Sequence, residues 1–416
     1  MNRRELMAAG FAFAAGSTFS YSQTQYSGTQ PIDSKARVES PSKITLDDYF
    51  PRSIYRIPVS NIERAKYPLI DVHSHGHGPL SVSEMVKMMD AVGVERTVIF
   101  TGASTAEQFS QIRRDYARFP GRFDLWCMFD LRSFGKPGFE ADAVKSLEEC
   151  HRAGALGIGE LHDKGTGLDT RSEFLGSEDS YAWLEKLDQR STPTHAPSAP
   201  NRKLSMGPHA DDPRMDALWD KAAQLGMPIS IHVSDPIWCY RPMDNTNDGL
   251  MNAWTWRIVL QPGMYDHDQL VNSLEKAAHK HPKTIFIACH LANLDYDLTR
   301  LGQMFDRNPN LYADIAARFA ETATIPRFVH QFLSKYADRV VYGTDVVYEQ
   351  SLFSTTFRIL ESEDEHFYQR GLLGSDNMNF NYHWTLNGFG LPDNVLKNLY
   401  HDNAINIFNK ARQNAA

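Results

Sequence analysis

The sequence predicts an α/β protein, a (β/α)8 TIM barrel with long loops on its C-terminal face and an N-terminal extension. From Tyr67 onward, short apolar runs of strand length alternate with longer stretches of helical periodicity, the mark of a parallel sheet with helices outside it. Eight such runs can be read in order, which fits a closed barrel better than an open sheet. The 416-residue length is also within reach of one barrel carrying long loops.

The predicted strands are residues 68–73, 97–100, 124–129, 157–160, 228–232, 284–288, 311–314 and 340–342. Several helices between them have readable ends. Asp211 and Asp212 precede Pro213 and give an N-cap with proline in the first turn, for a helix that runs to Gln224 and is stopped by Gly226. The last helix, residues 393–410, repeats Val395, Leu396, Leu399, Ile405, Ile407 and Phe408 on one side, and is expected to close the barrel from outside. Three connections, residues 161–210, 234–266 and 346–387, are far longer than such links usually are. Each follows a strand, so each should rise from the C-terminal face, where active sites of this architecture sit.

Ahead of the barrel domain (residues 67–412) lie two further segments. Residues 23–66 are rich in Ser, Thr, Gln and Pro without a sustained period and read as a linker and an N-terminal arm. Residues 1–22 read as a twin-arginine-like export signal: Arg3 and Arg4 precede a mildly apolar Ala- and Gly-rich stretch and then small residues. That stretch is too short for stable membrane insertion, and the expectation is a periplasmic or secreted protein.

Composition excludes other classes. With a net charge of -8 and both signs mixed along the chain, there is no basic run to track a phosphate backbone, so nucleic acid is set aside. The four cysteines, Cys127, Cys150, Cys239 and Cys289, never form a C-x-x-C pair, which argues against a disulfide framework or a thiolate zinc knuckle. Cys127, in a strand-like run, reads as a small core residue.

The strongest local signal is Asp71-Val72-His73-Ser74-His75. Residues two apart on a strand share a face, so His73 and His75 project together, roughly 7 Å apart along the chain, and can share one divalent metal. Glu160 ends the fourth strand and His232 the fifth; His290 follows the sixth and Asp345 the eighth. Alone, each has an ordinary reading: a hydrogen-bonded structural histidine, a strand-end carboxylate, a turn former. A barrel brings all six to one rim, where burying so many ionisable groups without a cation would cost several kcal/mol per charge.

In these residues the chain resembles the amidohydrolase superfamily, in particular the amidohydrolase-related branch that also contains non-oxidative decarboxylases and lactonases. The resemblance extends from about Tyr67 to Ala411. It rests on Asp71 to His75, Gly157-Ile158-Gly159-Glu160, Ile231-His232, Ala288-Cys289-His290-Leu291, Asn310-Leu311-Tyr312-Ala313-Asp314, Tyr342-Gly343-Thr344-Asp345 and Asn403-Ala404-Ile405-Asn406-Ile407-Phe408. It implies a metal held by His73, His75, His232 and Asp345, with Glu160 where some members use a bridging or additional ligand. His290 is then a further ligand or the catalytic group beside the metal. Other members bridge two metals with a carboxylated lysine on strand four; here that strand ends in Glu160, with Lys164 four residues on, so one metal is expected and two is the alternative. The donors suit Zn2+ first, and Mn2+, Co2+ or Fe2+ as well.

The expected function is a metal-dependent hydrolase that cleaves an amide, ester or lactone of a small-molecule substrate with an activated water, Asp345 moving the proton and His290 assisting the carbonyl oxygen. Release of CO2 from an aromatic or enoic acid is the alternative chemistry, and a secreted, non-catalytic binding barrel the alternative class. Trp238, Arg241 and Arg318 are the candidate substrate-binding residues, because aromatic faces beside a guanidinium suit a flat carboxylate. His77 and His162 fall near the site, and His195 and His209 read as exposed. Self-association into a homo-oligomer is compatible with all of this.

Overall fold

The computed structural model describes residues 43–44, 49 and 51–415, apart from 78–79, 169–205, 253–256, 259, 261, 346–347 and 369–382, with the backbone of 25–26. The expected leader, most of the linker and His195 lie outside the described residues.

Eight parallel strands follow in sequence: β1 (Leu69–Ser74), β2 (Val94–Phe100), β3 (Phe123–Trp126), β4 (Ile158–Asp163), β5 (Ile229–Val233), β6 (Phe286–Ala288), β7 (Leu311–Asp314) and β8 (Val340–Val341). Three pair in the order β1-β2-β3 and five in the order β4 to β8. Backbone hydrogen bonds cross both seams. At the first, Cys127 N donates to Gly157 O at 3.0 Å and Gly159 N to Cys127 O at 2.9 Å. At the second, Val72 N donates to Tyr342 O at 3.0 Å and Asp345 N to His73 O at 2.8 Å. The protein is therefore a (β/α)8 barrel, and all eight expected strands are present to within a few residues.

The helices form where their ends are chemically marked. α1 (Val82–Val92) starts with a Ser81–Glu84 capping box and stops at Gly93, whose φ of 90° is costly for any residue with a Cβ. Asp212 caps a 3-10 turn, Pro213–Met215, that leads into α4 (Asp216–Gln224), with α2 (Ala106–Tyr116) and α3 (Phe139–Arg152) before it. α5 (His267–Lys280) begins with an Asp266–Gln269 capping box, and α6 (Leu298–Arg307) and α7 (Pro326–Lys335) complete the run to β8.

Two expectations need correction. The connection after β8 is not all loop, because α8 (Gln350–Glu361) lies in it and buries Leu352, Phe353, Phe357, Ile359 and Leu360. Its start lacks a side-chain cap, which hides it from a reading based on capping residues. The closing helix (Asp393–Lys397, a π turn at Asn398–Asp402, then Asn403–Asn414) does not lie along the barrel's side. Ala404, Ile407, Phe408 and Ala411 pack with Ile70, Val72, Val98, Phe100, Trp126, Ile285, Ile287 and Val341. These alternate along the strands with the residues that face the outer helices. The helix thus plugs the end of the barrel where the strands begin, leaving the opposite rim for the site. The end of the N-terminal arm is tied down at Ser60, which donates to Asp364 through N and Oγ, both at 2.8 Å, and at Lys66, whose N donates to Glu361 Oε1 at 3.0 Å.

Candidate metal centre

The six residues expected at the rim converge. A β-bulge between Asp71 and Ser74 sets the end of β1, and the His73 and His75 ring centroids lie 5.5 Å apart. His73 Nε2 is 3.1 Å from Asp345 Oδ1 and 3.7 Å from Glu160 Oε2; His75 Nε2 is 3.0 Å and 3.2 Å from the same two atoms. The other Glu160 oxygen, Oε1, faces His232 Nδ1 at 2.9 Å and His290 Nε2 at 3.3 Å. Two donor groups, His73-His75-Glu160-Asp345 and Glu160-His232-His290, each have ligand atoms within 4.8 Å of one another and share Glu160.

Hydrogen bonding fixes which ring nitrogens are available. His73 Nδ1 lies 2.9 Å from Asp314 Oδ2 and donates to it, so Nε2 is left to face the carboxylates; it is fully buried and has no hydrogen-bond partner. His290 Nδ1 lies 2.9 Å from the Ala316 carbonyl. A carbonyl can only accept, so in the neutral ring Nε2 carries the lone pair and points at Glu160 and Asp345. His232 Nε2 is likewise buried without a hydrogen-bond partner. The Nε2 atoms of His73 and His290, turned toward Glu160 and Asp345, with His232 facing Glu160 through Nδ1, fit a divalent cation.

The electrostatics show the same demand. Burial opposes a charged His73, yet Asp314, Glu160 and Asp345 together hold its pKa well above the ordinary value. Burial also opposes charge on His75, and the bonds to Asp345 and Glu160 lift it to about 9. Burial and the neighbouring His290 push His232 down to about 4. Glu160 and Asp345, despite burial, are held well below the usual carboxylate range, by His162 and His73 for the first and by His290 and His73 for the second. Without a metal the carboxylates draw protons onto His73 and His75; a cation satisfies the same charges and displaces those protons.

Other expected residues fall differently. Trp238 lies in a short 3-10 turn (Ile237–Tyr240) with its ring over Gly249, and Arg241 follows it, exposed. Arg318 is buried: Nε donates to Asn293 Oδ1 at 3.0 Å, Nη2 bonds the same oxygen, and Nη1 donates to Ala317 O at 2.6 Å. Asp295 and Glu321 stand 3.8 Å and 3.9 Å from it. The His77 ring lies toward Tyr116. His162 joins the cluster, its Nε2 2.5 Å from Glu160 Oε2. His209 is not exposed: its Nδ1 is 2.7 Å from Asp163 Oδ2 and its ring stacks on Tyr265 with centroids 3.5 Å apart, because the chain returns to the rim at that point.

Sequence reasoning gave no role to Asp314, which orients His73 and, through Oδ1, accepts from His290 N at 2.9 Å and Ala316 N at 3.1 Å. It missed Asp71 too, which accepts from His73 N, Thr344 N and Thr344 Oγ1 and so ties the two ligand-bearing ends of β1 and β8. The one available sign was that both are carboxylates within apolar strand runs. Gly343 belongs to the same seam, since an added Cβ there would meet His73 Cβ at 2.6 Å. We expect Gly343→Ala to displace His73 and cut metal affinity at least tenfold while the far-ultraviolet circular dichroism spectrum is kept; unchanged affinity would contradict the packing.

A barrel whose strand ends present this ring of histidines and carboxylates defines the class: an enzyme scaffold with a candidate divalent-metal centre at its rim. The amidohydrolase family model matches residues 61–410, and the chain belongs to that family. No curated protein matches it. Among solved structures it is similar to an uncharacterized TIM-barrel protein from Bordetella bronchiseptica (12% identity, 83% of this chain and 100% of that chain, TM-score 0.46). It is also similar to a 2,6-dihydroxybenzoate decarboxylase complexed with 2,6-dihydroxybenzoate (13%, 82% and 98%, TM-score 0.46) and to an amidohydrolase from Burkholderia multivorans with bound zinc (11%, 82% and 99%, TM-score 0.40).

Proposed function

We propose that this protein is a metal-dependent hydrolase that cleaves an amide, ester or lactone bond of a small organic substrate, and that it acts after export. The observation that carries the reading is the buried, unpartnered His73 Nε2, held by Asp314 and turned toward Asp345 and Glu160. His73, His75, His232 and Asp345, with Glu160 beside them, would hold one divalent ion, zinc first. When bound, that ion supplies Lewis acidity toward a carbonyl oxygen and makes water more acidic.

The chain's own residues do the rest. Asp345 is fixed by its N–H to His73 O and keeps its carboxylate ionised at neutral pH; it accepts the proton released as water attacks and returns it to the leaving group. His290, with Nδ1 locked on Ala316 O, presents the lone pair of Nε2 at the same place, where it would serve as a further ligand or as an acceptor for the attacking water. Phe100, whose ring stands 4.8 Å from that of His73, excludes water from one side.

Elemental analysis of the purified protein tests the reading first. We expect about one divalent ion per chain, lost in His73→Ala and His232→Ala. Product analysis in 18O-labelled water comes second: label in a carboxylate product supports hydrolysis, whereas CO2 release with no label in the organic product would identify a decarboxylase, and absence of metal after expression in metal-replete medium would refute both.

A further inference from the structure

Donor atoms that share one ion keep a minimum distance from each other. At about 2.0–2.1 Å from a tetrahedral ion they stand roughly 3.3 Å apart, and the contacts inside the cluster have that spacing. His75 Nε2 is 3.2 Å from Glu160 Oε2, His290 Nε2 is 3.3 Å from Glu160 Oε1, and His73 Nε2 is 3.1 Å from Asp345 Oδ1. His162 breaks the pattern. Its Nε2 is 2.5 Å from Glu160 Oε2, too close for two ligands of one ion; this is a short hydrogen bond to a charged acceptor. An ionised carboxylate can only accept, so the proton lies on His162 Nε2, and that nitrogen has no lone pair to give a metal. Nor does His162 belong to either of the two donor groups that share Glu160.

The surroundings fix where this donor stands. His162 lies two residues beyond Glu160 on β4 and opposite His232 in the β4–β5 register. Its ring is within 18° of parallel to that of His75, with centroids 6.4 Å apart, and 5.5 Å from that of His232. The side chain is 10% exposed. Among the described residues, the polar partners of the Glu160 carboxylate are His73, His75, His232, His290 and His162. The first four belong to the donor groups, and a bound ion would claim their lone pairs. His162 is the partner that stays with the carboxylate, and a ligand oriented in advance loses less freedom when the ion arrives.

We propose that His162 is the positioning residue of Glu160: its Nε2–H holds the carboxylate turned toward the candidate ligand histidines from outside the metal's own coordination, and so sets how tightly the centre holds its ion. The inference rests on the metal-centre reading above.

The experiment measures Zn2+ affinity of the full-length protein by chelator competition, with the thermal midpoint read for every variant. His162→Leu removes the donor and should lower the affinity about ten- to a hundredfold. His162→Gln can place an amide N–H where Nε2 stands and should recover most of the loss. His162→Asn, too short to reach Glu160, should not; it carries the conclusion against the glutamine variant if the leucine one does not fold. A double-mutant cycle identifies the route of the effect. In a Glu160→Ala background, His162→Leu should cost nothing further, because the residue acts through Glu160. Losses that simply add would make His162 a ligand in its own right and overturn the proposal. So would wild-type affinity in a folded His162→Leu, or an asparagine variant that binds as well as the glutamine one. A wild-type protein that takes up no Zn2+ would instead sink the metal-centre reading, and the positioning role with it, whereas the other failures leave that reading standing.

Discussion

Asp345→Asn is expected to lower kcat/KM by about 10²- to 10⁴-fold, the range supplied by a positioned acid–base group, with the fold intact. Asparagine preserves the side-chain shape and the backbone bond from residue 345 to His73 O, so the β1–β8 seam should survive. What is lost is the ionised carboxylate that His290 and His73 hold well below the usual range, against its burial, and with it the ability to take a proton. The loss should appear in kcat more than in KM, because the group acts on the reaction rather than on binding. Metal content separates the two roles of Asp345: metal retained with activity gone makes it the proton carrier, and metal gone makes it first a ligand. Normal turnover in Asp345→Asn would remove it from the mechanism.

The second large effect is expected at Asp314, which never touches the donor ring's open side. Its Oδ2 accepts from His73 Nδ1 at 2.9 Å, and its Oδ1 accepts from the N–H groups of His290 and Ala316. The segment it holds is strained: His290, Leu291, Ala292 and Asn293 have φ of 59°, 57°, 56° and 53°, a left-handed run that costs about 1–2 kcal/mol per residue. Asp314→Asn keeps one oxygen for the amides but cannot match the carboxylate as acceptor for His73. Metal affinity, measured by chelator competition, should fall about ten- to a hundredfold with little change in thermal midpoint. Asp314→Ala also abandons two buried N–H groups and should lower the midpoint clearly. Equal metal affinity in wild type and Asp314→Asn would refute the orienting role.

The six rim residues were legible because a barrel converts sequence position into spatial position: whatever ends a strand reaches one rim, so His73, Glu160, His232 and Asp345 could be grouped without knowing the coordinates. Asp314 ends a strand as well, but its role depends on which side chain it meets, and His73 is 241 residues away. Nothing local encodes that meeting. Arg318 shows the reverse failure, since its position just after a strand suggested the mouth, while Asn293 and Ala317 turn it inward. The α8 helix escaped notice for want of a cap, and His209 because its polar neighbours conceal the return of the chain to Asp163 and Tyr265. Periodicity and strand ends are local properties; tertiary partners are not.

The seam between β1 and β8 also sets a timetable. His73 and His75 leave the ribosome early, and Asp345 comes about 270 residues later, so the centre is completed only when the eighth strand docks on the first. Until then β1 offers an unpaired edge to the solvent, and a nascent chain can present five of the six donors without the carboxylate that completes them. Completion of the donor set and closure of the barrel are thus the same event. A protein cut short before Asp345 would thus emerge with its histidines in hand and no competence to use them.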